Sequence, residues 1–169
     1  MSTTVSPTHA NPARATFLTP DAFRQHWQGH RRLTRRVIEA FPEDALFSFS
    51  VGGMRSFGEL AWELVRMAAP MVRGAATGEW AVVDWTAAPP HSRDELLRAW
   101  DQGTEDIDAH WARIPAERFH ETITAFGNYT GLASDLFLYT IDNEIHHRGQ
   151  GYVYLRALGI EPPPFWERQ

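Results

Sequence analysis

Two predicted helices carry polar side chains at positions that should face the protein interior. Asn143 and His147 are four residues apart in the last predicted helix, so they project from the same side, one turn apart. Glu63 lies on the flank of the apolar positions Leu60 and Leu64 in the second predicted helix. A carboxylate placed there is costly unless it is paired, hydrogen-bonded or bound to a cation. Glu63, Asn143 and His147 are therefore the first candidates for a site that binds a divalent metal ion or a substrate.

Other interpretations of these positions remain open from the pattern alone. Glu63 can turn to solvent, and His147 can be a hydrogen-bonded histidine of the core. His26 and His30 also have i, i+4 spacing, but His26 falls off the apolar stripe of its helix, which favours a surface position. Glu144 and His147 form one Glu-x-x-His unit, yet the second copy that a di-iron bundle needs is not visible.

The composition excludes several functional classes. The formal charge is −5, with 16 Lys and Arg against 21 Asp and Glu, which disfavours broad binding to nucleic-acid phosphates. The chain has no cysteine, so it has no disulfide, thiolate nucleophile or cysteine-based zinc site, and it suits a reducing cytoplasm. No apolar run approaches the roughly 18 residues of a membrane span. We expect a flexible tail over residues 1–18, without a secretory signal, and a single domain over 19–169.

Four segments have helical periodicity, and none has convincing strand alternation. Start and stop signals place these segments at about 19–42, 56–74, 92–115 and 131–158. Ser56 with Glu59 and Ser92 with Glu95 form two capping-box patterns, and a turn is predicted at 127–128. The inward face of the last helix is predicted as Leu132, Leu136, Tyr139, Asn143, His147, Gln150, Tyr154 and Leu158. The fold class is therefore all-α, a four-helix bundle with long connections after helices two and three.

Two stretches of the sequence resemble a known family. Residues 146–150, HHRGQ, are followed by YVYLR at 152–156, LGI at 158–160 and PP at 162–163, and this run resembles the end of DinB-family proteins. Residues 55–63, RSFGELAWE, resemble that family's second helix. The resemblance extends from about residue 20 to the C-terminus. It implies a helical bundle of the DinB/YfiT-like type, often dimeric, with a divalent metal ion held by three histidines.

The family's metal ligands fall on Glu63, Asn143 and His147, and only His147 keeps the residue type. A carboxylate oxygen binds zinc, manganese or iron well, whereas a neutral amide oxygen is a poor ligand for transition metals. Such a set would either shift the preference toward a harder ion or need help from His146 or Glu144. The alternative is metal-free: Glu63 forms an ion pair with His147, and Asn143 completes the hydrogen bonds.

These considerations give two expectations for function. The first is a divalent-metal-dependent enzyme, with zinc, nickel, manganese or iron at Glu63, Asn143 and His147. The resemblance implies a thiol transferase or a small-molecule hydrolase, whose substrate is a small molecule such as a low-molecular-weight thiol. The second is a non-catalytic, small-ligand-binding or stress-response bundle with a degenerate, metal-free site. Neither nucleic acid nor a membrane is an expected partner, and a homodimer is expected from the family.

Overall fold

The computed structural model describes residues 17–169, so the predicted tail lies almost wholly outside the described residues. The described chain is mostly helical, with five α-helices, a short 3₁₀-helix and a two-stranded sheet. In chain order the elements are α1 (Pro20–Ala40), α2 (Glu43–Leu46), α3 (Phe57–Thr77), α4 (Arg93–Trp111), the 3₁₀-helix Ala116–His120, β1 (Thr122–Ala125), β2 (Tyr129–Leu132) and α5 (Ala133–Ala157). No helix within 17–169 combines the length and apolar character needed to cross a bilayer.

The predicted N-terminal caps set where two of the long helices begin. The Thr19 hydroxyl accepts a hydrogen bond from the Ala22 N–H at 3.1 Å, just before α1. The Ser56 hydroxyl accepts from the Glu59 N–H at 3.3 Å, while the Glu59 carboxylate accepts from the Ser56 N–H at 2.8 Å. The capping box of α3 is therefore confirmed, and each partner satisfies a backbone donor that the helix leaves free.

The second predicted capping box forms only in part. Ser92 caps α4 by accepting from the Glu95 N–H at 3.2 Å. The Glu95 carboxylate accepts instead from the N–H of His91, one residue before the cap. The reciprocal bond is thus displaced by one residue.

Helix α3 ends later than the sequence predicts, and two glycines explain why. Gly78, with φ of +79°, adopts the left-handed conformation that ends the helix. Gly74, the predicted stop, lies inside α3, and a Cβ there would come within 2.3 Å of the Trp80 ring. Gly74 therefore serves close packing of Trp80 on the helix.

The last helix, α5, contacts both α1 and α3, and α4 also contacts α1 and α3. One buried cluster centres on aromatic rings: Trp111 lies 5.1 Å from Phe137 and 6.1 Å from Trp27, measured between ring centroids. A second cluster includes Phe57 and Trp100. Burial of such large apolar side chains is the main source of stability in a fold of this kind.

A β-hairpin occupies the connection that the sequence analysis left without strands. Residues Thr122–Ala125 pair antiparallel with Tyr129–Leu132, and the predicted turn at 127–128 joins them. The expectation of a purely α-helical fold was incomplete because four-residue strands give too short an alternation to recognise, although Ile123 and Ala125 are buried between exposed threonines. Helix α5 begins at Ala133, two residues later than predicted, because β2 uses the preceding residues.

The buried face of α5 is rotated relative to the predicted face. Leu132 and Tyr139 were expected inside, but 42% and 61% of their surfaces are exposed. The buried positions are Ala133, Phe137, Thr140, Ile141, Glu144, His147, Arg148, Gly151, Tyr154 and Leu155. The face is broad because α5 packs against two helices. Consecutive residues lie about 100° apart around a helix. Residues 143 and 147 therefore contact α3, while 144 and 148 contact α1.

A buried polar network ties α5 to α1. Glu144, 2% exposed, accepts a hydrogen bond from the Thr34 hydroxyl at 2.6 Å and another from the Trp27 indole N–H at 3.2 Å. The Arg148 guanidinium donates to the Thr34 hydroxyl at 3.0 Å and lies 3.8 Å from the Glu144 carboxylate. Thr34 thus accepts from the cation and donates to the anion, which links the buried ion pair through hydrogen bonds.

His30 extends this network in a neutral form. Arg148 Nη2 lies 2.9 Å from His30 Nδ1, and since guanidinium groups only donate, Nδ1 must be the acceptor. Arg168 Nη1 lies 2.9 Å from His30 Nε2. Burial, the positive charge of Arg148, and then His26 and Arg168 lower the pKa of His30 from 6.5 to about 3.

This lowered pKa predicts sensitivity to mild acid. In the unfolded chain His30 is protonated below about pH 6.5, whereas in the folded chain it stays neutral down to about pH 3. Because the unfolded state binds the additional proton, the free energy of unfolding falls as pH falls. Between about pH 7.5 and about pH 5 we expect a loss of about 2 kcal/mol in the free energy of unfolding. In His30→Gln, which keeps an acceptor but does not titrate, the loss should be much smaller. Urea unfolding followed by circular dichroism at both pH values measures it.

The matched control is His91→Gln, in an exposed connection, which should keep the pH dependence of the unmodified protein. Equal pH dependence in the unmodified protein and in His30→Gln would contradict the assignment.

Candidate functional site

The structure brings together the three side chains that the sequence analysis selected. Glu63 on α3 lies opposite Asn143 and His147 on α5. Asn143 Nδ2 donates to Glu63 Oε1 at 3.1 Å, and His147 Nε2 lies 3.1 Å from the same oxygen. The His147 side chain is 8% exposed and that of Glu63 is 24% exposed. The alternative in which Glu63 points into bulk water is therefore wrong.

Arg55, which the sequence analysis did not select, is the fourth member of this cluster. Its guanidinium lies 2.6 Å from Glu63 Oε2, so both oxygens of the carboxylate have partners. The hydrogen bond from His147 lowers the pKa of Glu63, burial opposes it, and the bonds from Asn143 and Arg55 lower it further, to about 2. Glu63 is consequently an anion at neutral pH.

Hydrogen-bonding roles within the cluster follow from the ionised Glu63. A carboxylate only accepts, so Asn143 presents its amide N–H and His147 presents Nε2–H. The other imidazole nitrogen, His147 Nδ1, is buried and has no hydrogen-bond partner within residues 17–169. His147 therefore has one ring nitrogen to which no group of the described chain is hydrogen-bonded.

This arrangement fits a hydrogen-bonded cluster better than a three-ligand metal centre. A metal ion needs lone pairs from Asn143 and His147, whereas here both groups direct protons at Glu63. The Arg55 cation already engages the remaining carboxylate oxygen. Protein zinc sites use three or four strong donors, and no set of three His, Cys, Asp or Glu side chains converges in the described part of the chain.

The two residues suggested as additional ligands lie elsewhere. The Glu144 carboxylate is held by Trp27 and Thr34 of α1, while His147 faces α3. His146 is exposed, with its Nε2 2.9 Å from Gln150 Nε2. The Glu-x-x-His unit of the sequence is therefore divided between two sides of α5.

The His26–His30 pair has a cationic environment. Their Nε2 atoms are 3.2 Å apart, with His26 exposed, as expected, and His30 buried. Arg148 and Arg168 contact the His30 ring, one at each nitrogen. Two guanidinium groups at this distance disfavour a bound metal cation.

A cleft of about 820 Å³ opens beside Glu63, between α3, the hairpin and the start of α5. Apolar and aromatic side chains form most of its wall, and Glu63 is one of its polar members. Its wall includes Glu63, Trp85, Phe126, Tyr129, Asp135 and Tyr139. The Glu63 cluster and the cleft therefore share a residue.

Sequence reasoning missed the cleft but indicated part of its wall. The connection after α3 contains two tryptophans and two valines, and large apolar side chains in a connection indicate that it packs on the bundle. Trp80 and Trp85 both contact the Phe126 ring, with centroids 5.5 and 5.6 Å away. Arg66 donates to the Trp85 carbonyl at 2.9 Å and fixes this connection. Val82, by contrast, is fully exposed. Aromatic residues outside any helical stripe were the available signal.

Two crystal structures have the same fold as this chain. A DinB-like protein from Bacillus cereus aligns with a TM-score of 0.72 and 19% identity, covering 89% of this chain and 100% of that protein. A DinB-like protein from Bacillus subtilis aligns with a TM-score of 0.69 and 19% identity, covering 87% and 99%. At this identity the likeness shows the fold alone.

A search of curated proteins found no match. The family model described as the DinB family matches residues 8–169, which is almost the whole sequence. The chain belongs to the DinB family.

Proposed function

We propose that this DinB-family protein binds a small amphipathic organic molecule in the cleft beside Glu63. The observation that carries the proposal is the double role of Glu63, which is the acceptor of the Asn143–His147–Arg55 cluster and part of the cleft wall. A ligand in the cleft meets apolar and aromatic side chains over most of its surface and an ionised carboxylate at one place.

The dimensions and lining of the cleft support this proposal. Small-molecule sites usually have volumes of roughly 300–1,000 Å³, a predominantly apolar wall and a few polar groups that set orientation. The cleft, at about 820 Å³, falls within this range. Glu63 supplies the polar group, and the ligand group that it favours is a hydrogen-bond donor, because the carboxylate only accepts.

Asn143 and His147 act as positioning residues in this proposal. They hold Glu63 Oε1 from α5, and Arg55 holds Oε2 from the segment before α3. Three donors on one carboxylate fix its rotamer and keep it ionised. The cluster thus presents a preorganised anion to the cleft without a metal ion.

The metal-dependent interpretation is the second candidate. The observation that favours it is that Glu63, Asn143 and His147 occupy the positions where the family resemblance expects metal ligands, and that they meet. Zinc, nickel, manganese or iron, thiol transfer and hydrolysis stay predictions, as do the homodimer and the cytoplasmic location. The four long helices α1, α3, α4 and α5 support the four-helix-bundle interpretation of the scaffold.

Ligand binding can be tested with N-phenyl-naphthylamine, a neutral fluorescent amphiphile that carries one N–H donor. We expect saturable fluorescence enhancement at one site per chain. Tyr139→Ala should weaken binding by about three- to tenfold, since it removes an aromatic wall of the cleft. Tyr139 is 61% exposed, so the change should leave the fold intact.

The matched control is Phe165→Ala, which removes an aromatic side chain that is 68% exposed and outside this cleft. It should bind the probe as the unmodified protein does. Absence of saturable binding, or equal weakening by both variants, would contradict the proposal.

Metal content separates the two candidates. We expect untagged, dialysed protein to hold clearly less than one equivalent of zinc, nickel, manganese and iron by mass spectrometry. Asn143→His restores a strong donor beside His147 and should tighten zinc binding by at least about tenfold in a calorimetric titration. Asp142→His, on the neighbouring exposed position of α5, is the control and should have little effect.

Stoichiometric metal in the unmodified protein, lost in His147→Ala, would overturn the metal-free cluster and favour the metal-dependent enzyme. Unchanged zinc affinity in Asn143→His would show that residue 143 is not directed at His147 and Glu63.

A further inference from the structure

We propose that the ligand of the cleft is an organic cation, an amine or quaternary ammonium group with apolar substituents, held by aromatic rings and by the carboxylates of Glu63 and Asp135. This inference rests on the proposed function, because it names the chemical class of the molecule that the cleft binds.

Four aromatic side chains border the cleft: Trp85, Phe126, Tyr129 and Tyr139. The Phe126 ring lies at the centre of this group, with centroids 5.6 Å from Trp85 and 6.5 Å from Tyr129, and it meets both nearly edge-on, at 82°. Since each ring has two faces, Trp85 and Tyr129 each keep at least one face that Phe126 does not cover. The face of an aromatic ring carries partial negative charge and attracts organic cations.

These rings are unusually accessible. Trp85 is 39% exposed and Tyr129 is 53% exposed, although both belong to one concave surface. Contiguous exposed aromatic surface is costly in water and often marks a binding site. Phe126 adds to this, since it adopts φ of +52°, a left-handed conformation that bulky residues avoid. The hairpin therefore holds a strained residue where its ring joins the cleft wall.

The charges along the wall have one sign. Glu63 and Asp135 contribute carboxylates, and no Lys, Arg or His side chain forms part of the wall within the described residues. Asp135 lies in the first turn of α5, where the helix dipole stabilises negative charge, and it forms no ion pair within residues 17–169.

Two arginines lie near the cleft but outside the wall as described within residues 17–169. Arg55 engages the Oε2 side of Glu63, and Arg66 donates to the backbone carbonyls of Asp84 and Trp85. The charge of Arg55 therefore offsets that of Glu63, and Asp135 is the carboxylate of the wall that forms no ion pair within residues 17–169. An anionic ligand would meet the carboxylate of Asp135 without a compensating cation in the wall, while a cation gains from that carboxylate and from the ring faces.

Three soluble probes of similar size separate charge from apolar contact: benzyltrimethylammonium, phenylpropanol and phenylpropanoate. Each is measured by displacement of N-phenyl-naphthylamine and by calorimetry. We expect the cation to bind at least about tenfold more tightly than the alcohol, and the carboxylate to bind most weakly.

Asp135→Asn should weaken binding of the cation by about three- to tenfold and leave binding of the alcohol unchanged. Trp85→Leu should reduce the preference for the cation over the alcohol.

Asp142→Asn is the matched control, because Asp142 is an exposed carboxylate of the same helix outside the cleft wall, and it should not alter binding of any probe. If the naphthylamine and phenylpropanol bind but the cation has no advantage, the assignment of charge is wrong and the proposed function stands. If Asp135→Asn and Asp142→Asn weaken the cation equally, the effect is general charge and the site assignment is wrong. If no probe binds, both proposals fail.

Discussion

The rotation of α5 about its own axis is the constraint on which the rest of the structure depends. This helix contacts α1 and α3 at once, and its consecutive residues face different neighbours. Glu144 and Arg148 meet Thr34 and Trp27 of α1, which directs the preceding pair, Asn143 and His147, toward α3. A buried ion pair contributes little net stability, but leaving one of its charges without a partner is strongly unfavourable. The network therefore penalises other rotations of α5 and fixes which face reaches Glu63.

The same constraint connects the buried network with the cleft. When α5 is held at this rotation, residues of its first turns, including Asp135 and Tyr139, lie on the side that borders the hairpin. The hairpin in turn brings Phe126 against Trp80 and Trp85 from the connection after α3. The cleft is thus built from segments far apart in sequence, and Glu63 is where it meets the polar cluster.

Local signals made much of the fold predictable from the sequence. Thr19 and Ser56 identify two helix starts because their side chains satisfy backbone donors a few residues away. The convergence of Glu63, Asn143 and His147 was predictable because an interior carboxylate needs donors, and helical spacing supplied them on another helix. These arguments depend on short-range geometry and on the cost of burying charge.

What the sequence could not reveal depends on partners distant along the chain. No residue near Glu144 in the sequence indicates that its carboxylate will accept hydrogen bonds from Trp27 and Thr34. Arg55 reaches Glu63 only because of the path of the segment before α3. The end of α3 was misplaced for the same reason: Gly74 reads as a stop, yet it is small because Trp80 folds back on it. The hairpin strands were too short for periodicity to separate them from a loop.

The residue types at the cluster also carry an argument about charge. The family resemblance implies three histidines, whose neutral rings would direct lone pairs at one point and would need a cation there. Glu63, Asn143 and His147 differ in that one side chain accepts what the other two donate. Such a set is complementary to itself, and its net negative charge is balanced on one side by Arg55. The carboxylate that forms no ion pair within residues 17–169 is then Asp135, in the first turn of α5, and its charge is available to a ligand in the cleft. Glu at residue 63 and Asn at residue 143, in place of the histidines that the resemblance implies, therefore change which ligands the site favours. The contact between α3 and α5 is kept, because these side chains still bond to each other.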